Sequence, residues 1–148
     1  MNWNELTYEP GKWDWAAQQV DDYEASKGAE ANTLRETNIP ILVMWTIGRK
    51  SGKLRKVPLM RVEHEGEYAI VASKGGSPEH PAWYHNLVAE PRIRIQDGPA
   101  PKEYVLREIE GDERATWWDR SVGVYPPYQE YQDKTDRSIP VLIATPTD

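Results

Sequence analysis

The feature that most constrains the fold is a series of short apolar segments linked by tight turns. Residues 39–46 form an apolar run that is rich in strand-forming side chains and too short for a typical helix. Glycine-containing turns separate this run from two more strand patterns, at 54–63 and 67–73. The same signals predict three later strands, at 92–97, 102–110 and 139–145. Hairpin links between short strands predict an antiparallel barrel, because closure removes exposed strand edges.

Helices are predicted at four places outside these strands. Apolar residues at helical spacing indicate a first helix within 13–27, with Trp13 at the start of its apolar stripe. A second helix opens at Pro81, where a missing N–H costs nothing. Asp112 is a suitable N-cap for a third helix, and 128–134 forms a short fourth one. Because helices and strands do not alternate regularly, we predict a mainly β fold with flanking helices, not a doubly wound parallel sheet.

Length and composition limit the class of protein. A chain of 148 residues suits one domain, in which we expect an N-terminal helix and connector at 1–38 and a barrel at 39–148. The absence of cysteine excludes a disulfide framework, a CxxC redox pair, a thiolate metal site and a cysteine nucleophile. No apolar run approaches the roughly 20 residues of a membrane span, and the N-terminus lacks a secretory signal. We expect a cytoplasmic protein and leave open a peripheral position at the membrane.

Charge is distributed unevenly along the chain. The net charge is −6, yet six cations and no acid lie between Gly48 and Val62. The six are Arg49, Lys50, Lys53, Arg55, Lys56 and Arg61. This window carries +6, so the remaining residues sum to −12, and such a local positive field attracts an anion. A pI of about 5.1 disfavours a general nucleic-acid binder. The basic window supports an anion-binding site and an ordinary solvated basic hairpin about equally.

The turn at 48–53, Gly-Arg-Lys-Ser-Gly-Lys, has features of a phosphate-binding loop. It does not fit the Walker pattern, because three residues instead of four separate its glycines and Leu54 occupies the Ser/Thr position. A nucleoside triphosphatase is therefore disfavoured. The glycines still permit a tight turn whose N–H groups can bind an anion, with Arg49, Lys50 and Ser51 as further donors. On spacing alone, an ordinary basic hairpin turn remains the alternative.

Two more patterns indicate a ligand site. The segment Ser73–Gly76 follows a strand and precedes a helix, where glycines allow a ligand close to the backbone, although a plain flexible loop is the alternative. Tyr125, Tyr128 and Tyr131 recur at a spacing of three beside Pro126-Pro127, so they form either a pocket rim or part of the core. The three histidines lack the spacing of a metal site, and we expect no metal.

Three segments, in order along the chain, resemble the signatures of the deazaflavin-dependent nitroreductase family. The first is Thr46–Arg55 followed by Pro58-Leu59, the second is Ala72–Gly76 followed by Pro81–Leu87, and the third is Tyr125–Tyr131 followed by Thr135–Arg137 and Ile139-Pro140. The resemblance runs from about Ile39 to Pro146 and leaves 1–38 uncovered. Three long matches in one order are far more specific than any one of them.

This resemblance implies a split β-barrel of the FMN-binding type and coenzyme F420, a deazaflavin with a phosphate and an oligoglutamate tail. It implies phosphate and tail contacts from Arg49, Lys50, Ser51 and Arg55. It places along the ring Lys56, Val57, Pro58 and Leu59, and it includes Gly48 and Met60 among the cofactor-binding residues. It completes the cofactor site with Ala72, Ser73, Lys74, Gly75, Gly76, Trp83, Tyr84 and Asn86.

The resemblance further implies an oxidoreductase that transfers hydride from the reduced deazaflavin to small electron-poor acceptors such as quinones or nitroaromatics. Ser73, Tyr125, Tyr128 and Tyr131 are the candidate catalytic residues, because their hydroxyls can stabilise or protonate the reduced acceptor. Nitroimidazole-activating members have tyrosine where this chain has Met60. The physiological acceptor therefore stays open.

Three alternatives remain at the level of sequence. The first is an FMN-dependent reductase of the same fold, and the second is a protein that binds the deazaflavin without catalysis. The third, a nucleic-acid module that uses the basic hairpin, is disfavoured by the acidic charge. We expect a small-molecule acceptor as partner, no nucleic acid and no integral membrane segment. The oligomeric state is open, a homodimer included.

Overall fold

The computed structural model describes residues 2–147 as an antiparallel sheet with flanking helices. Its strands are β1 (Ile41–Ile47), β2 (Leu54–Met60), β3 (Glu63–His64), β4 (Glu67–Val71), β5 (Arg92–Gln96), β6 (Pro101–Glu108) and β7 (Val141–Pro146). The α-helices are α1 (Asp14–Ala25), α2 (Ala82–Ala89), α3 (Gly111–Val124) and α4 (Pro127–Asp133). The strand order is β2-β1-β5-β6-β7-β4-β3, and each neighbouring pair is antiparallel. The predicted antiparallel fold with flanking helices is confirmed.

The sheet curls until its two edge strands meet in one continuous segment. β2, at one edge, leads through Arg61 and Val62 directly into β3, at the other edge. The Arg61 N–H donates to the carbonyl of Pro40 beside β1, and the Val62 carbonyl accepts from Ala69 in β4, each at 2.9 Å. We call residues 54–64 the closing strand. Its first half pairs with β1 and its second half pairs with β4, which produces the split barrel.

Both faces of the sheet are buried. Along β4, Tyr68 and Ile70 pack on one face with Leu87 of α2, whereas Ala69 and Val71 pack on the opposite face beneath α3 and α4. Successive side chains of a strand point to opposite faces, so both sets of β4 residues find apolar partners. This double burial explains why β1 and β7 are nearly continuous apolar runs and do not alternate with polar residues.

The N-terminal segment packs onto the barrel, which the sequence did not indicate. Trp3 is 1% exposed, and its indole N–H donates to Glu103 at 3.3 Å. The guanidinium carbon of Arg94 lies 5.8 Å from the centre of the Trp3 ring. Further along, Tyr8 forms a parallel bridge with Leu54, the first residue of the closing strand. The N-terminal segment therefore covers part of the edge of β2.

Two details differ from the sequence prediction. The strand predicted at 54–63 is divided where the closing strand bends, so residues 2–147 contain seven strands instead of six. The third helix begins at Gly111, with Glu110 at the N-cap, so the prediction of Asp112 as N-cap is wrong. Asp112 lies in the first turn, where its carboxylate favours the positive end of the helix dipole.

Membrane-spanning segments were not expected from the hydropathy pattern. Among residues 2–147, no helix combines the length and the apolar character needed to cross a bilayer. The longest, α3, has 14 residues and carries acids in its first turn.

Trp3→Ala is expected to lower the free energy of unfolding by about 3–5 kcal/mol, the usual cost of truncating a buried large aromatic side chain. Trp13→Ala is the matched control, because Trp13 is 62% exposed and should change stability by less than about 0.5 kcal/mol. Urea denaturation followed by far-UV circular dichroism measures both variants. Equal stability of the two would contradict the docking of the N-terminal segment.

Candidate functional site

A cavity of about 660 Å³ opens between the closing strand, the loop at 72–77, and helices α2 and α4. The closing strand lines it with Arg55, Lys56, Val57, Pro58, Leu59 and Met60. The other elements contribute Ser73, Lys74, Gly75, Trp83, Asn86, Tyr125, Tyr128 and Tyr131. Eleven of these fourteen residues belong to the three sequence motifs, while Lys56, Val57 and Met60 adjoin the Pro58-Leu59 of the first motif, and the structure brings all fourteen to one cavity. Its volume is typical of a small-molecule site.

The edge strand β2 forms one wall of this cavity. Among the described strands, β2 has β1 on one side and no partner on the other. Residues 55–60 are all half-buried. An edge strand presents unpaired N–H and C=O groups, and Pro58 suits such a position because it has no N–H to donate. The wall therefore offers backbone hydrogen-bonding groups to a flat ligand.

The basic turn at 48–53 is held beside the cavity by Asn86. The buried Asn86 side chain accepts a hydrogen bond from the Arg49 backbone N–H at 3.0 Å. The exposed residues of the turn include Arg49, Lys50 and Ser51, and like Gly48 they lie outside the cavity lining. The turn therefore presents its donors beyond the mouth of the cavity, next to Arg55 on the wall.

The positive field of the window is weaker than its sequence suggests. Acids from distant parts of the chain pair with four of its six cations: Glu9 with Lys53 and Arg55 at 3.4 and 3.0 Å, Glu24 with Lys56 at 2.8 Å, and Asp97 with Arg61 at 2.8 Å. Within residues 2–147, Arg49 and Lys50 are the two cations of the window without an ion pair. The count of +6 therefore overstates the field, because it omits the acids that fold onto the window.

Lys56 is held by more than its ion pair. Its side chain is 11% exposed, and its Nζ lies 4.5 Å from the ring centre of Trp45 and 4.7 Å from that of Tyr8. Both carboxylate oxygens of Glu24 accept from this ammonium. The charged end of Lys56 thus joins α1 to β2, and its aliphatic stem is the part that remains for the cavity.

The loop at 72–77 contains three consecutive residues with positive φ, namely Lys74 at 44°, Gly75 at 62° and Gly76 at 79°. A Cβ on Gly75 would meet no atom within 4 Å, so this position faces open space at the cavity. A Cβ on Gly76 would lie 2.6 Å from the carbonyl oxygen of Tyr131. Gly75 therefore lets a ligand in the cavity come close to the loop backbone, whereas Gly76 lets α4 pack closely against the loop.

The three tyrosines cluster, although Tyr125 precedes α4. The ring centre of Tyr125 lies 5.0 Å from that of Tyr128 and 6.0 Å from that of Tyr131. The hydroxyl oxygens of Tyr125 and Tyr131 are 2.8 Å apart. Burial, and then the hydrogen bond with Tyr131, raises the pKa of Tyr125 to about 12. Burial also raises the pKa of Tyr128, which is 2% exposed. Both phenols are therefore neutral near pH 7 and can donate hydrogen bonds.

Ala72 and Tyr84 were expected at the site, but the structure places them behind it. The Ala72 side chain is fully buried, and its N–H donates to the Pro140 carbonyl at 3.0 Å. The Tyr84 hydroxyl donates to Glu108 at 2.5 Å, and its ring centre lies 4.6 Å from that of His80. Burial, and then this hydrogen bond, raises the pKa of Tyr84 to about 12. Both residues support the elements that line the cavity.

Sequence reasoning missed the N-terminal wall of the cavity. This wall consists of Gly11, Lys12, Trp13, Trp15, Ala16 and Ala17. Trp13 was expected on the apolar stripe of α1, but it is the N-cap residue and is 62% exposed. Trp15 is also exposed. Large aromatic side chains left in solvent often mark a ligand site, so the clustering of two tryptophans at the start of α1 was the available signal.

A split barrel with a strand edge along a cavity of this size, and cations beyond its mouth, can hold a flat ring with an anionic tail. Residues 15–146 match the model of the family described as F420H(2)-dependent quinone reductase. A protein of Mycobacterium tuberculosis strain H37Rv with that name is 35% identical over 109 residues, which cover 72% of this chain and 73% of that protein. The chain belongs to the F420H(2)-dependent quinone reductase family.

Two solved structures are similar in sequence and in fold. A structure described as an F420-H2 dependent reductase is 56% identical with a TM-score of 0.68, over 72% of this chain and 94% of that one. A structure described as a domain-swapped dimer is 47% identical with a TM-score of 0.71, over 89% of this chain and 98% of that one. These comparisons confirm the predicted resemblance, the split barrel, the class of F420-dependent oxidoreductase and coenzyme F420 as cofactor.

Gly76→Ala is expected to destabilise the protein more than Gly75→Ala, because the added methyl group would meet the backbone of Tyr131. Both alanines would take a positive φ, at a cost of about 1–2 kcal/mol. The overpacking at Gly76 should add about 1–3 kcal/mol, measured as the free energy of unfolding in urea. Equal losses in the two variants would show that the contact with α4 contributes nothing.

Proposed function

We propose that this protein transfers a hydride from reduced coenzyme F420 to a quinone bound in the same cavity. The observation that carries the proposal is the convergence of three motifs on one cavity of about 660 Å³. Beside this cavity stand Arg49 and Lys50, the cations of the window without an ion pair in the described residues. The arrangement suits a flat ring inside the cavity and an anionic tail at the turn.

The residues present fit this cofactor. Gly75 leaves open space for a ring to approach the loop, and the edge of β2 offers N–H and C=O groups to a heterocycle. Arg49, Lys50 and Ser51 are exposed donors for a phosphate and carboxylates, with Arg55 between the turn and the cavity. When bound, the reduced deazaflavin would supply the hydride. The protein binds the ring, orients the acceptor against it and excludes water.

Neutral hydroxyl groups would stabilise the negative charge that hydride addition places on the acceptor. In the Tyr125–Tyr131 pair one hydroxyl donates to the other, so the second O–H proton remains free for an acceptor oxygen. Ser73, on the loop that also lines the cavity, is a second donor. Tyr128 packs against both tyrosines and completes this wall. A hydrogen bond to a charged group contributes about 1.5–3 kcal/mol, which suits a role in lowering the barrier.

The assembly we propose is a homodimer. Its support is the similarity to a structure described as a domain-swapped dimer, at 47% identity over 89% of this chain. Size-exclusion chromatography with light scattering distinguishes a dimer from a monomer directly. A monomeric mass at all concentrations would remove this part of the proposal.

Steady-state oxidation of F420H2 with menadione as acceptor tests the proposed function. We expect turnover that saturates with both substrates, and none when reduced FMN replaces F420H2. Turnover with reduced FMN, and none with F420H2, would indicate an FMN-dependent reductase. Binding of F420H2 without turnover on a broad panel of quinones and nitroaromatics would indicate a carrier.

Reversing Arg49 and Lys50 to Glu is expected to weaken F420 binding at least tenfold, or about 1.4 kcal/mol. The reason is that these exposed cations have no ion pair among the described residues and are free for an anion. Reversal of the exposed Lys27 and Lys102 changes the net charge equally and should leave the dissociation constant unchanged. Fluorescence titration with F420 measures the dissociation constants of both double variants. Equal loss in both double variants would indicate an effect of net charge alone.

Met60→Tyr is expected to raise turnover of a nitroimidazole by about five- to a hundredfold, since one hydrogen bond at a buried polar group is worth about 1–3 kcal/mol. Met60 lines the cavity, and its thioether cannot donate a hydrogen bond. The unmodified protein should reduce menadione efficiently and nitroimidazoles weakly. Met60→Leu, which also lacks a donor, is the control. Robust nitroimidazole turnover by the unmodified protein would show that this position does not control the choice.

A further inference from the structure

Arg137 is a half-buried cation that the site described above does not use. It follows α4, and its side chain crosses to the loop at 72–77. Its Nε donates to the carbonyl of Ser77 at 2.8 Å, and its Nη2 donates to the carbonyl of Ser73 at 2.6 Å. Its Nη1 donates to the carbonyl of Ala72 at 3.2 Å and lies 3.0 Å from Nδ1 of His80. One guanidinium thus binds both ends of the loop.

The loop that Arg137 binds is the one that lines the cavity. Ser73, Lys74 and Gly75 face the cavity, whereas Arg137 does not. The positive φ of Lys74 costs about 1–2 kcal/mol in a residue with a Cβ. Two hydrogen bonds of the loop backbone, from Gly76 to Ser73 and from Ser77 to Lys74, offset part of this cost. Contacts from outside the loop can offset the remainder.

We propose that Arg137, with neutral His80 as its fourth partner, is a positioning residue that holds this loop in the shape that binds coenzyme F420. This inference rests on the proposed function, because F420 is the ligand whose binding the loop would control. The planar guanidinium reaches the three carbonyls through three separate nitrogens in a fixed fork, whereas a lysine ammonium carries its three donors on one atom. A positive charge at this position is therefore not sufficient to hold the loop, and Arg137→Lys should bind F420 more weakly.

The contact with His80 makes this arrangement sensitive to pH. A guanidinium only donates, so Nδ1 of His80 must be unprotonated to accept. Burial lowers the pKa of His80 below its ordinary value of 6.5, and so do the nearby charges of Arg137 and His85. Glu108 acts in the opposite direction, and the neutral Tyr84 ring packs against the imidazole. The contact is therefore complete at neutral pH and is lost as the pH falls through the lowered pKa.

The first experiment compares Arg137→Lys with Arg107→Lys by fluorescence titration with F420 at pH 7.5. Arg107 is the matched control, because its pair with Glu113 lies on the surface away from the loop. We expect the dissociation constant to rise at least tenfold for Arg137→Lys and to stay unchanged for Arg107→Lys, with both proteins folded by circular dichroism. Unchanged affinity of folded Arg137→Lys would overturn the inference. Absence of F420 binding by the unmodified protein would instead overturn the proposed function.

The second experiment uses His80 and does not depend on the folding of the Arg137 variant. His80→Asn keeps an acceptor near the place of Nδ1 but does not titrate, whereas His80→Phe has no acceptor. We expect the affinity of the unmodified protein for F420, divided by that of His80→Asn, to fall at least threefold as the pH is lowered stepwise from 7.5 through the range in which both proteins stay folded by circular dichroism. Titration of F420 itself is common to both proteins and cancels in this ratio. His80→Phe should bind weakly at every pH. A constant ratio, or normal binding by His80→Phe, would overturn the role of His80.

Discussion

The closing strand, residues 54–64, sets the geometry on which the site depends. One continuous segment must pair with β1 and then with β4, so it bends at Arg61 and Val62 and leaves one edge of β2 without a partner strand in the described fold. That edge becomes a wall of the cavity. The turn before it carries the exposed cations Arg49 and Lys50. Barrel closure and the construction of the site therefore depend on the same stretch of chain.

Acids from the N-terminal part of the chain adjust the electrostatics of this wall. Glu9 pairs with Arg55, and Glu24 pairs with Lys56, so the cations along the strand are largely compensated. The attraction for an anion then concentrates at the turn that carries Arg49. Exposed charges of this kind are screened over about 10 Å at 0.1 M salt, whereas contacts inside the cavity are screened less. The structure thus separates a salt-sensitive outer region from an apolar and hydrogen-bonding inner region.

Local patterns were sufficient for the elements, whereas most of the cavity lining followed from the family resemblance. Strand runs such as 39–46 and the glycine turns are short-range signals, and the resemblance supplied most of the fourteen lining residues. Contacts between distant residues could not be predicted in this way. Arg137 binds Ser73 across 64 positions, and Arg55 binds Glu9 across 46. Trp3 is a single buried aromatic residue without a periodic neighbour, so nothing in its surroundings indicated that it docks on the barrel.

The central claim is that the cavity binds the deazaflavin ring while the turn at 48–53 binds the anionic tail. Equilibrium fluorescence titration with F420, with a deazaflavin that lacks the phosphate and tail, and with FMN, each at low and high salt, tests it most directly. We expect F420 to bind tightest, with an affinity that falls as the salt concentration rises. The tail-less ring should bind at least tenfold more weakly and with little salt dependence. FMN should also bind weakly. FMN binding as tight as F420, or equal affinity and salt dependence for the tail-less ring, would contradict the account.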